Sequence, residues 1–144
     1  MFRETVEKVQ PLLVLISETH VTEEEAFEQY YIKGYRVVSC LSHSRHTGGV
    51  AAYARSDIVL KVILNESLEG NWFLGLAISR GMTAGNYSIL YHSPSASDSR
   101  FVDILEEWLE RFLDFSKMNI IVGDFNIDWL NVEKSAKLKS LMDS

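Results

Sequence analysis

A chain of 144 residues with 47% hydrophobic residues suits one globular domain with a respectable core. The net charge of −6 argues against broad reliance on phosphate contacts, and no apolar stretch approaches the ~20 residues that span a bilayer. One cysteine, Cys40, excludes an internal disulfide, no Cys/His cluster has zinc spacing, and Met1 to Lys8 is too charged for a signal peptide. A reducing, intracellular and non-secreted location is expected.

In chain order, residues 2 to 10 read as the end of a helix. Leu12 to Ile16 then forms a compact apolar strand that breaks into Ser17-Glu18-Thr19, leaving one acid at its exit. Thr22 before Glu23-Glu24-Glu25 has the spacing of a capping box and predicts a helix to about Tyr31. Strands are expected at Tyr35 to Cys40, Gly48 to Arg55, Ile58 to Leu64, Trp72 to Ser79 and Tyr87 to Tyr91. Turn-rich separators lie at Ser42 to Gly49, Asn65 to Asn71 and Gly81 to Asn86. Such short connections favour antiparallel pairing over a simple βαβ alternation.

From Asp98 to Phe115 the pattern is helical. Phe101, Ile104, Leu105, Trp108, Leu109, Phe112 and Leu113 fall on one continuous face, with Ser97 or Asp98 as the cap. This helix connects the Tyr91 strand to Met118 to Val122, a β-branched run that ends abruptly in Gly123-Asp124-Phe125-Asn126. A carboxylate and a carboxamide therefore stand two residues apart at a strand's C-terminal tip, where open α/β sheets usually bind ligands. Asp124 suits a hard cation and Asn126 suits a phosphate oxygen; an Asx-turn that merely closes the strand is the simpler alternative. Leu138, Leu141 and Met142 suggest one more helix.

Ser17 to His20, Gly48 to Tyr53, Tyr91 to Ser95 and Gly123 to Asn126 together resemble, in order and separation, the endonuclease/exonuclease/phosphatase family. The closest likeness is to the endonuclease domain of non-LTR (LINE-type) retrotransposons. That resemblance implies an α/β fold, a four-layer α/β/β/α sandwich of the deoxyribonuclease type with mostly antiparallel or mixed sheets. It implies Mg2+, with Mn2+ as an alternative, held principally by Glu18. Asp124 and Asn126 would position water and the scissile phosphate, with Tyr91 orienting the phosphate. The implied reaction is phosphodiester hydrolysis, nicking DNA in the nucleus before reverse transcription.

Against the family's pattern, the chain begins after the asparagine-bearing first strand, and no histidine follows Asp124 to supply the terminal Ser-Asp-His motif. The expectation is thus a single incomplete domain over residues 1–144, lacking its first and C-terminal strands. Loss of a positioned acid–base group typically costs about 10²–10⁴-fold. Little activity is expected of the polypeptide alone, and a non-catalytic remnant or interaction module is the alternative. The missing strands would leave open sheet edges, available for self-association. From Lys33 to Lys61 five basic residues face one acid, and Arg45 within that stretch is a candidate substrate contact. His92, where relatives often carry arginine, is a second candidate, in competition with an exposed turn histidine.

Overall fold

The computed structural model describes residues 2–79, 81–128 and 130–143. Helix α1 (Phe2–Val9) leads into β1 (Leu13–Ser17). With β2 (Tyr35–Cys40) and β3 (Val50–Arg55) it forms an antiparallel sheet of order β1-β3-β2. The strands β4 (Leu60–Leu68), β5 (Asn71–Ile78) and β6 (Gly85–His92) form an antiparallel meander. Helix α2 (Asp98–Phe112) then crosses over and delivers β7 (Asn119–Asp124) parallel to β6, giving the order β4-β5-β6-β7. Parallel neighbours need such a crossover, and here the helix supplies it. Helix α3 (Val132–Asp143) follows.

Three apolar clusters define four layers. Val6, Ile32, Tyr35 and Tyr53 pack α1 and the adjoining loops on the outer face of the first sheet. Cys40, Val50, Ala52, Trp72, Leu74 and Ile89 fill the space between the two sheets. On the far side, Phe73 and Leu90 meet Phe101, Leu105, Trp108 and Phe112 of α2, with Leu138 of α3. The heptad-like stripe foreseen on α2 is therefore its buried face, and Ser97 Oγ caps the helix by accepting from the Arg100 amide at 3.2 Å. Among the described residues no helix is long and apolar enough to cross a membrane.

Some expectations change. The segment after Thr22 is a 3-10 helix, Glu24–Tyr30, preceded by Glu23 with no side-chain cap. Phe27 is its only buried residue. Without a second apolar anchor one α-helical turn away, it has no face to pack, and the tighter form suffices. Gly48 and Gly49 precede β3 rather than open it, at φ +88° and +85°. Strand β4 runs to Leu68, through the polar residues read as a separator. Glu66 earns no place in a loop because α2 satisfies it: its carboxylate accepts from Trp108 Nε1 at 2.9 Å and from Arg111 at 2.5 and 3.1 Å. The reversal occurs instead at Glu69-Gly70, both at positive φ, as a two-residue hairpin turn requires.

Strands β1 and β7 stand at the ends of their sheets and adjoin each other. The C-terminal ends of β1, β6 and β7 consequently open at one end of the sandwich.

Phe73 is fully buried, with ring centroids 5.5 Å from Trp108 and 5.3 Å from Phe112. Phe73→Ala is expected to cost about 3–5 kcal/mol, read as a shift of the denaturation midpoint. A loss below about 1 kcal/mol would mean that α2 does not pack there.

Candidate functional site

Glu18 is the first residue past β1, and the strand's abrupt end puts it at φ +54°, in the left-handed region. Its side chain is exposed, and His20, also at φ +55°, brings Nε2 to 3.9 Å from Glu18 Oε1. That imidazole nitrogen is buried and has no hydrogen-bond partner. The loop carrying Glu18 is tied to the one before β3, since the amides of Thr19 and His20 donate to the carbonyls of Gly49 and Gly48. A Cβ on Gly48 would lie 2.2 Å from the Trp72 ring, so this approach requires glycine as well as its left-handed φ.

Tyr91, near the end of β6, is buried, and its hydroxyl donates to Glu18 Oε1 at 3.0 Å. The Thr47 side chain also acts on this hydroxyl. In the β6–β7 register Tyr91 stands beside Asp124, whose charge reaches the same phenol. Burial raises the Tyr91 pKa above its usual 10.0, and the Glu18 bond and the charges of Glu18 and Asp124 add to that, while Thr47 opposes it. The phenol is thus held as a donor. A Cβ on Gly123 would lie 2.2 Å from the Leu90 carbonyl oxygen, so glycine there lets β7 seat Asp124 against β6.

Asn126 lies at φ +46°, and its amide donates to Asp124 Oδ1 at 3.2 Å. The Asx-turn exists, and it coexists with a directed side chain: Asn126 Nδ2 donates to the His92 carbonyl at 2.6 Å. Four sequence candidates, Glu18, Tyr91, Asp124 and Asn126, therefore gather at one end of the sandwich. Two do not join them. His92 is 0% exposed, with Nδ1 on Asn71 and Nε2 on Asp98, so its ring can reach no phosphate and is no turn histidine either. Arg45 is exposed in the loop before β3, and among the described residues no hydrogen bond or ion pair joins it to the cluster. Sequence reasoning missed His20 and Thr47; the position of His20 two residues after the strand-end acid was the available signal.

Among the described residues no three His, Cys, Asp or Glu side chains are placed to hold a metal by themselves. The donors fit a hard cation that keeps most of its water, with Glu18 as the accessible carboxylate. Burial pushes the Cys40 thiol up to about 11, so it is no thiolate nucleophile at neutral pH.

The model of the Endonuclease/Exonuclease/phosphatase family matches residues 1–139. The AP endonuclease LMAP from Leishmania major superposes with a TM-score of 0.70 at 16% identity, over 98% of this chain and 59% of that one. The Xenopus laevis APE2 catalytic domain gives 0.63 at 16% identity, over 99% and 61%. D. rerio TDP2, complexed with a single-strand DNA product, gives 0.61 at 10% identity, over 98% and 56%. At these identities the likeness is one of fold, and the chain spans less than two thirds of each of these structures. Among curated proteins no sequence matches.

Because folding raises the proton affinity of Tyr91, its contribution to stability is complete below pH 10.0 and is lost as pH climbs through the raised value. In a 13Cζ NMR titration, Glu18→Gln is expected to lower the Tyr91 midpoint only part of the way to 10.0, because burial is the largest cause. An unmoved midpoint would contradict the hydrogen bond between them.

Proposed function

The chain belongs to the endonuclease/exonuclease/phosphatase family, and on that premise we propose that it is a divalent-metal-dependent phosphodiesterase domain. Its substrate is DNA, nicked in the nucleus as the first act of a non-LTR retrotransposon. One observation carries this reading. The Tyr91 hydroxyl bonds Glu18 across the two sheets while Asp124 acts on the same phenol.

Glu18 would hold Mg2+, with Mn2+ as a substitute. When bound, the cation neutralises charge on the phosphoryl oxygens and favours ionisation of water. Tyr91, kept protonated, spends its single proton on Glu18 and so orients that carboxylate. Asp124 takes the proton of the water that attacks phosphorus. Asn126 has one N–H committed to the His92 carbonyl, leaving the second for a phosphate oxygen. The bond from phosphorus to the leaving oxygen breaks as the new P–O bond forms, and the leaving oxygen takes a proton from solvent.

A second reading, a non-catalytic remnant or interaction module, is favoured by the sealed ring of His92, which removes one imidazole from the substrate side. Under that reading the polypeptide self-associates along β7, an end strand on which Ile120 and Val122 are exposed.

Supercoiled plasmid with Mg2+ separates the two. The enzyme reading predicts nicked circles, with Glu18→Ala and Asp124→Asn each slowing nicking by about 10²–10⁴-fold. Absence of metal-dependent nicking, together with concentration-dependent sedimentation, would establish the second reading instead.

A further inference from the structure

His92 closes β6 as a fully buried polar residue, and nothing in the reaction above uses its ring. Its imidazole stacks on Phe101 at 4.2 Å between centroids and 10° between planes. Nδ1 lies 2.6 Å from Asn71 Oδ1, and Nε2 lies 2.8 Å from Asp98 Oδ1. The Asn71 amide nitrogen already donates to the carbonyls of Leu68 and Glu69, which spends both of its protons. Its Oδ1 is therefore an acceptor, as is the Asp98 carboxylate, so the ring donates from both nitrogens. Asn71 opens β5, His92 ends β6 and Asp98 opens α2, so one imidazole pins three elements at the end of the sandwich that carries the site.

The same residue has a second output. Pairing of β6 with β7 stops at Tyr91 and Asp124, which leaves the next carbonyl, that of His92, outside the ladder. This carbonyl accepts Asn126 Nδ2 at 2.6 Å, while the Asn126 amide is held by Asp124 at 3.2 Å. Ring and carbonyl share one Cα, so whatever fixes the ring fixes the acceptor that aims Asn126. We infer that His92, clamped between Asn71 and Asp98, is the positioning residue that sets the Asn126 carboxamide through its own backbone carbonyl.

The inference rests on reading Asn126 as a phosphate contact, and the test decides the two separately. In 15N NMR spectra of the full chain, the wild type should show protons on both ring nitrogens of His92. It should also show an Asn126 side-chain NH2 pair displaced from free-amide positions. Asp98→Ala should move that pair to free-amide positions, and Asp98→Asn, which keeps an acceptor oxygen, should restore it. Ser97→Ala weakens the start of α2 without touching His92, so it should lower Tm and leave the pair in place.

If Asp98→Ala melts lower yet leaves the Asn126 pair unmoved, as Ser97→Ala does, His92 is only structural and the inference fails. A wild-type ring with a single N–H would also overturn it, even if no variant folds. Where the wild type nicks DNA, Asp98→Ala should lower kcat about 10–100-fold with a smaller change in KM. A wild type that never nicks refutes the proposed reaction while the amide signals still decide the positioning.

Discussion

The hydrogen bond from Tyr91 to Glu18 joins residues 73 apart in sequence, one near the end of β6 and one just past β1, a strand of the other sheet. For it to form, the sheets must face each other with β1 and β6 ending at the same place, and the core between them must be full enough to hold that alignment. Trp72 shows how close the fit is: its indole packs on Tyr91 at 5.7 Å, donates to the Leu41 carbonyl at 3.0 Å and rests against Gly48. The loop before β3 and the loop after β1 then close over this ring and over each other. Glu18 is presented outward by that closure, at a left-handed backbone angle few residues tolerate without support.

The electrostatic arrangement follows from the same alignment. Burial first, and then two acids at strand ends, act on one phenol, which responds by holding its proton more tightly. A hydroxyl in that state is a fixed donor. It gives the Glu18 carboxylate a preferred orientation before any ligand arrives, which is the preorganisation that charged chemistry in a partly dry site requires. Asp124 contributes from β7, and its closeness depends on the absence of a side chain at Gly123.

What could be read from the sequence was whatever repeats or stops abruptly. The α2 stripe announces itself through seven apolar residues at helical spacing, and the β7 tip through a β-branched run cut off by Gly-Asp-Phe-Asn. Long-range pairings carry no such mark. Nothing local in Glu66 tells that Trp108 and Arg111 will satisfy it, so its strand looked like a loop. His92 misled for the same reason. Beside a Pro-bearing turn it reads as exposed, yet Asn71, 21 residues earlier, and Asp98, six residues later, supply the acceptors that make its burial tolerable. Thr22 failed differently: its capping pattern was present, but a segment with one buried residue has no face to pack as an α-helix.

Mn2+ added to the isotopically labelled protein tests most directly whether Glu18, Tyr91, Asp124 and Asn126 surround one cation. Paramagnetic broadening is predicted to erase the signals of these four residues together, at the lowest Mn2+ concentrations, while Arg55 and Asp57 at the other end of β3 stay sharp. Broadening centred on Asp57 or Asp114, with Glu18 and Asp124 unaffected, would contradict a shared metal site at these strand ends.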